Sequence, residues 1–232
     1  MCEAPFAPFR QRCLSPFLDH RSGFGNILLM HAESATVHAL KRLCVFSGSS
    51  PGARKAYAAA ADCFGRLLAK NGIGLVYGGA SIGLMGVLAD AVLDEGGEVI
   101  GVIPSALVTK EVVHEGLPDL RVVDSMHERK ALMAKLADGF AALPGGLGTL
   151  EEFCEILTWA QLGIHQKPVG LLDVDGYFQP LLRFLDHIVY ERFMRPEHRS
   201  MVLVEEEPEH LIEAIRRYRP AQQKKWLDQE EA

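Results

Sequence analysis

From residue 41 onward, short continuously apolar runs alternate with longer stretches whose apolar positions recur every three to four residues. The runs at 43–47, 74–77, 98–103, 121–123, 140–143, 169–172 and 201–204 predict strands. Most are apolar at successive positions rather than every second one, as expected of parallel strands buried on both faces. The stretches at about 54–70, 83–95, 126–137, 149–163, 177–193 and 208–218 predict helices. Strand–helix alternation of this kind predicts an α/β fold, a single-domain doubly wound parallel sheet. Such sheets bind ligands in the loops beyond the carboxyl ends of their strands, and there this chain concentrates its glycines.

Residues 1–40 carry prolines, a Ser22-Gly23-Phe24-Gly25 loop and no sustained period, with Met30 shortly before the first strand. They are expected to form a weakly packed arm ahead of a catalytic domain at 41–220, with a tail at 221–232.

Composition narrows the function by exclusion. The 232 residues are 48% hydrophobic, enough for a sizeable core. A net charge of −6 gives no general attraction to nucleic acid or an acidic membrane, so an anionic ligand needs local donors. No apolar stretch is long enough to span a bilayer, and the N-terminus lacks a signal-peptide pattern. The five cysteines show neither a CxxC pair nor zinc-ligand spacing. Cys44, Cys63 and Cys154 are expected as buried, reduced thiols of a cytoplasmic protein.

Three loops carry candidate chemistry. Ser47-Gly48-Ser49-Ser50-Pro51-Gly52 follows a strand and opens a helix, and reads equally as a phosphate or sugar contact and as a plain turn. Tyr77-Gly78-Gly79-Ala80-Ser81-Ile82-Gly83-Leu84-Met85-Gly86 is neither a Walker A loop nor GxGxxG, which disfavours an NTPase or dinucleotide enzyme. Its glycines also fit close packing of loop against helix. In Pro144-Gly145-Gly146-Leu147-Gly148-Thr149, three glycines precede a helix expected to start at Thr149, where bare amides and the helix dipole favour an anion. Thr149 and Glu152 stand in the S/T-x-x-E relation of a capping box, so Glu152 reads as a structural cap or as a functional carboxylate. Arg129-Lys130 lies near another helix start, against the dipole, and by itself reads as a solvated surface pair. His127 reads as a surface or packed histidine, His114 and His165 lack metal-ligand partners, and Met126 and Met133 read as packing.

Met126-His127-Glu128-Arg129-Lys130 followed by Pro144-Gly145-Gly146-x-Gly148-Thr149-x-x-Glu152 resembles the LOG family of cytokinin-activating phosphoribohydrolases, often mislabelled lysine decarboxylases. The resemblance covers about residues 41–220, with Tyr77–Gly86 and Leu157–Gly163 as further similar segments and Ala80 standing where a third consecutive glycine is usual. It implies a Rossmann-like fold, a homodimer, and catalytic roles for Arg129 and Glu152. It also implies substrate contacts from Glu111, Arg129, Lys130, Gly146, Leu147, Gly148, Thr149, Leu150, Glu151, Glu152 and Thr158. The implied reaction hydrolyses the N-glycosidic bond of an adenosine-type 5′-monophosphate, without metal or organic cofactor. Glu152 suits stabilisation of a cationic sugar or alignment of water. Arg129, which cannot readily give up a proton, suits a grip on phosphate or sugar.

The rivals are a broader nucleoside-monophosphate hydrolase and a non-catalytic nucleotide or molybdenum-cofactor carrier on the same scaffold. A pyridoxal-phosphate decarboxylase is rejected, because the Ser-x-His-Lys run common around its Schiff-base lysine is absent.

Overall fold

The computed structural model describes residues 40–108 and 113–220. Seven strands form one parallel sheet: β1 Arg42–Phe46, β2 Gly74–Tyr77, β3 Val99–Pro104, β4 Asp119–Val123, β5 Gly139–Ala142, β6 Val169–Leu172 and β7 Val202–Glu205. Between and after them run α1 Lys55–Lys70, α2 Gly83–Asp94, α3 Ser105–Val108, α4 Met126–Leu136, α5 Leu147–Gln161, α6 Gln179–Tyr190, α7 Pro196–Arg199 and α8 Pro208–Arg217. All the expected strands and longer helices form, within a few residues of their expected bounds. The short α3 and α7 and a 3-10 turn at Val174–Gly176 are additions. They are too brief to carry a readable period.

The strand order is β4-β3-β2-β1-β5-β6-β7. From β1 the chain winds one way through β4, then returns to lay β5 against the other edge of β1. Order therefore reverses between β1 and β5, and the loops diverging there leave a crevice at the carboxyl ends. Both neighbours of β1 pair in register, Cys44 opposite Val76 on one side and Phe140 on the other.

Side chains of each strand alternate between two cores. Leu43, Val45, Leu75 and Tyr77 face α1, α2 and α8, where Phe64, Leu68, Leu88 and Ile212 pack on them. Cys44, Phe46, Val76 and Phe140 face α4, α5 and α6, against Met133, Phe153, Ile156 and Leu182. Burying each large apolar side chain contributes about 1.5–3 kcal/mol, so covering both faces is what makes the central strands apolar throughout.

Of the three cysteines, only Cys44 is buried; Cys63 and Cys154 are exposed, and all three are free thiols. The expectation of burial fails for two because each falls off its helix's apolar stripe. That stripe is Tyr57, Ala61, Phe64, Gly65 and Leu68 in α1, and Thr149, Phe153, Ile156, Leu157 and Ala160 in α5. Among the described residues no helix is long and apolar enough to cross a membrane.

Candidate active site

The loops after β1, β2 and β5 are tied together at the crevice. Gly48 N–H donates to the Pro144 carbonyl at 3.1 Å, and the Gly48 carbonyl accepts from Leu84 N–H at 2.9 Å. Gly83 has φ +60°, and any side chain there would strike the backbone of Ser49 and Ser50. Gly83 of the second loop thus serves close packing against the first loop, and Ala80 is accommodated with full burial. Gly78 has a second use: a side chain there would collide with the Arg129 guanidinium.

Helix α5 begins at Leu147, with Gly146 as its N-cap and no side-chain cap. Thr149 is therefore already in the first turn, buried, and of the two readings of Glu152 the structural cap is not the one the helix start supports. The helix begins two residues earlier than expected, with Gly146 as an extended N-cap and Leu147 and Gly148 already helical. The same sequence relation does operate one helix earlier. Ser125 caps α4 by accepting from Glu128 N–H at 3.1 Å, and the Glu128 carboxylate accepts from Asp124 N–H at 2.9 Å.

That cap starts a helix whose next residues are Arg129 and Lys130. Both are buried rather than solvated, which corrects the surface-pair reading. Arg129 Nη2 lies 3.7 Å from Glu152 Oε1, with side chains 8% and 12% exposed. Its Nη1 approaches the Met126 sulfur at 3.7 Å, and its Nε has no hydrogen-bond partner among the described residues. A buried guanidinium with a donor to spare calls for a further acceptor. Lys130 instead braces α4 to α5, its Nζ 2.5 Å from Glu151 and 2.9 Å from Glu155. Desolvation would lower its pKa, but the two carboxylates outweigh it and hold the amine above its ordinary value.

Around this pair lies a cleft of two adjoining lobes. One, of about 300 Å³, is lined by Ser47, Met85, Met126, Arg129, Thr149 and Glu152 among others. The second, of about 290 Å³, is lined by Ser50, Tyr57, Leu84, Gly145 and Tyr177 among others, and both share Ser49 and Gly146. Larger hollows of about 440 and 420 Å³ lie by β6 and β7, but Asp173, Asp175 and Glu205–Glu207 line them. Among the described residues no Lys or Arg lines either hollow to hold an anion, whereas the cleft sets Arg129 and the amino end of α5 beside Glu151 and Glu152. Charge, not volume, selects the site.

The family described as possible lysine decarboxylase matches residues 85–215. The cytokinin riboside 5′-monophosphate phosphoribohydrolase LOG3 of Arabidopsis thaliana is 48% identical over 192 residues, 83% of this chain and 89% of that protein. The corresponding enzyme LOG of Oryza sativa subsp. japonica is 50% identical over 180 residues, 78% of this chain and 74% of its own. The chain belongs to the LOG family.

Solved structures extend the likeness at the level of fold. The molybdenum cofactor carrier protein of Chlamydomonas reinhardtii superposes with TM-score 0.57 at 21% identity, covering 76% of this chain and 96% of its own. The molybdenum cofactor binding protein of Rippkaea orientalis gives 0.58 at 25%, covering 77% and 96%.

The decarboxylase description fits neither Lys130 nor Lys167. A Schiff-base lysine must be neutral to attack, yet Lys130 is held protonated. Burial does push Lys167 down, but it precedes β6, at the opposite end of the sheet, and its amine donates to the Ala134 and Ala137 carbonyls at 2.7 Å.

Among the expected site residues, Arg129, Gly146–Thr149, Glu151 and Glu152 line one lobe together. Lys130 stands behind it on Glu151, and Leu150 is half-buried beside it. Thr158 lies elsewhere, exposed on α5, its hydroxyl donating to the Cys154 carbonyl at 2.7 Å. Glu111 lies outside the described residues. His127 is exposed, and Met133 packs in the core as expected. Met126, read as packing, is 41% exposed and lines the cleft. Ser47 and Met85 fall within the first and second candidate loops of the sequence, whereas Tyr177 was missed. The signal for Tyr177 was present: Asp175-Gly176 is a turn following a strand, and turns at that end of the sheet supply site residues.

Proposed function

We propose that the protein hydrolyses the N-glycosidic bond of an adenosine-type nucleoside 5′-monophosphate, releasing the free base and ribose 5-phosphate. The observation that carries this is the Arg129–Glu152 pair, nearly withdrawn from water beside the glycine-rich amino end of α5 at the switch point of the sheet. The naming of about 50%-identical relatives as phosphoribohydrolases supports the substrate class.

The 5′-phosphate sits on the first-turn amides of α5 and the spare donors of Arg129, where dipole and charge favour an anion. Anchored there, the sugar is held with its anomeric carbon beside Glu152. As the C1′–N9 bond breaks, the base takes the electron pair and the sugar becomes cationic. The Glu152 carboxylate stabilises that charge and aligns the water whose oxygen bonds to C1′. The proton from water ends on the departing base. Lys130 holds Glu151 and Glu155, so its contribution is to fix α4 against α5. Glu111 and Thr158 belong to this reading through the family resemblance alone.

The same resemblance supports a homodimer. Leu162 and Ile164 are 60% and 65% exposed at the end of α5, beyond Thr158. A second copy covering them would remove that apolar surface from water. Light scattering on the purified protein tests this. Free thiols fit a cytoplasmic protein.

Incubation with a panel of nucleoside monophosphates, including N6-isopentenyl AMP, with chromatography of the released base, tests the activity. Preference for N6-substituted adenine supports the cytokinin substrate, and even release across bases supports a broader nucleosidase. Release from none refutes hydrolysis.

A further inference from the structure

Three consecutive carbonyls of the glycine loop are occupied. The Pro144 carbonyl accepts from Gly48 N–H, and the Gly146 carbonyl accepts from Leu150 N–H, each at 3.1 Å. Between them, the Gly145 carbonyl accepts the Tyr177 hydroxyl at 2.5 Å. The middle peptide needs such a partner most. It joins two glycines, whose backbone freedom lets the peptide plane flip at little cost. A trans peptide directs its C=O and N–H in opposite senses. Gly145 and Gly146 both line the cleft, so a flip would interchange the sides on which this peptide presents its N–H and its oxygen there.

Tyr177 is itself held from several sides. Asp173, fully buried, accepts from Phe178 N–H at 2.6 Å and from the Gln179 side chain at 2.5 Å. Arg54 Nη1 donates to the Asp175 carbonyl at 3.3 Å. The tyrosine ring meets Tyr57 and Phe178 edge-on, with centroids 5.5 and 5.0 Å apart. The turn that delivers it carries two successive left-handed residues, Asp175 at φ +52° and Gly176 at φ +72°. A non-glycine residue in that region is strained and persists where its surroundings impose it.

We propose that Tyr177 is a positioning residue: through the Gly145 carbonyl it locks the glycine-loop peptide so that the loop shows amide hydrogens to the substrate phosphate. This rests on the hydrolase reading above. Tyr177→Phe removes the hydroxyl and keeps the ring packing, so its melting temperature is expected near that of the parent. Its kcat/KM for AMP is expected to fall about three- to tenfold, the effect of one lost hydrogen bond, while that for adenosine is unchanged. In crystals of the unliganded variant the Gly145–Gly146 peptide is expected flipped or in two orientations. Equal losses on AMP and adenosine, or no loss with the peptide unmoved, would overturn the lock. If the parent protein releases no base from AMP, the hydrolase reading fails separately, and the peptide orientation in the variant crystal still decides the lock.

Discussion

Glu152→Gln separates electrostatic catalysis from scaffolding, because it removes a charge and leaves the shape. The carboxylate does not cap α5, whose N-cap is Gly146, so no cap is lost. It does face Arg129 at 3.7 Å, beyond hydrogen-bonding distance, with both side chains about nine-tenths buried. Neutralising it leaves Arg129 less compensated, and a stability loss of about 1–3 kcal/mol is expected. The catalytic effect is larger. A full sugar cation about 4 Å from a carboxylate interacts by about 4 kcal/mol at an effective dielectric of about 20. Partial charge development reduces this, while lost alignment of the water adds to it. At about 1.4 kcal/mol per decade, a fall in kcat of roughly two to four decades follows. AMP affinity should hold or improve, since a negative charge near the phosphate is gone. The assay is single-turnover release of adenine from AMP, with thermal melting and AMP binding as controls. A folded, AMP-binding Glu152→Gln protein with near-normal base release would refute the assigned role.

Other expectations follow from the same site. Adenosine should be cleaved about one to two decades more slowly than AMP, since it lacks the charge-assisted phosphate anchor; equal turnover would remove the anchor from the mechanism. Base release should survive EDTA, because no group of three or more potential ligands is placed to hold a metal among the described residues; loss restored by a divalent ion would contradict this. Deleting residues 1–29 should leave folding and activity near normal, as periodic patterning begins later; an aggregated or inactive truncation would show otherwise. Acid should destabilise the fold through His165, whose burial lowers its pKa. Neutral, its Nδ1 accepts from Lys167 N–H at 3.1 Å while Nε2 faces the Ile156 carbonyl at 3.0 Å, and protonation breaks the first bond. A lowered folded-state value means that this stability is complete above about pH 6.5 and declines as pH falls toward the folded pKa. His198, also held low by burial, adds to the decline. The melting temperature should therefore drop from pH 7 to 5.5, less steeply in His165→Gln; an unchanged slope in that variant would exclude His165.

The fold was legible because parallel strands buried on both faces must be apolar throughout, and amphipathic helices must repeat near 3.6 residues. Those constraints are local, so β1 through β7 and the longer helices appear in the pattern of the chain itself. The glycine loop and Glu152 were legible for a related reason, as a short motif carries its own backbone and charge requirements. Tertiary structure decided what depends on neighbours distant in sequence. Arg129-Lys130 reads as solvated charge until α4 and α5 meet and Glu151, Glu152 and Glu155 surround the pair. The S/T-x-x-E relation occurs at both Ser125 and Thr149, yet only Ser125 caps, because α5 already begins at Leu147 and Thr149 lies inside its first turn. Tyr177 reaches Gly145 across 32 positions of sequence only because β6 lies beside β5. Hydrophobic period records which face of an element is buried, and it carries no information about which polar atoms the folded chain brings within 3 Å of one another.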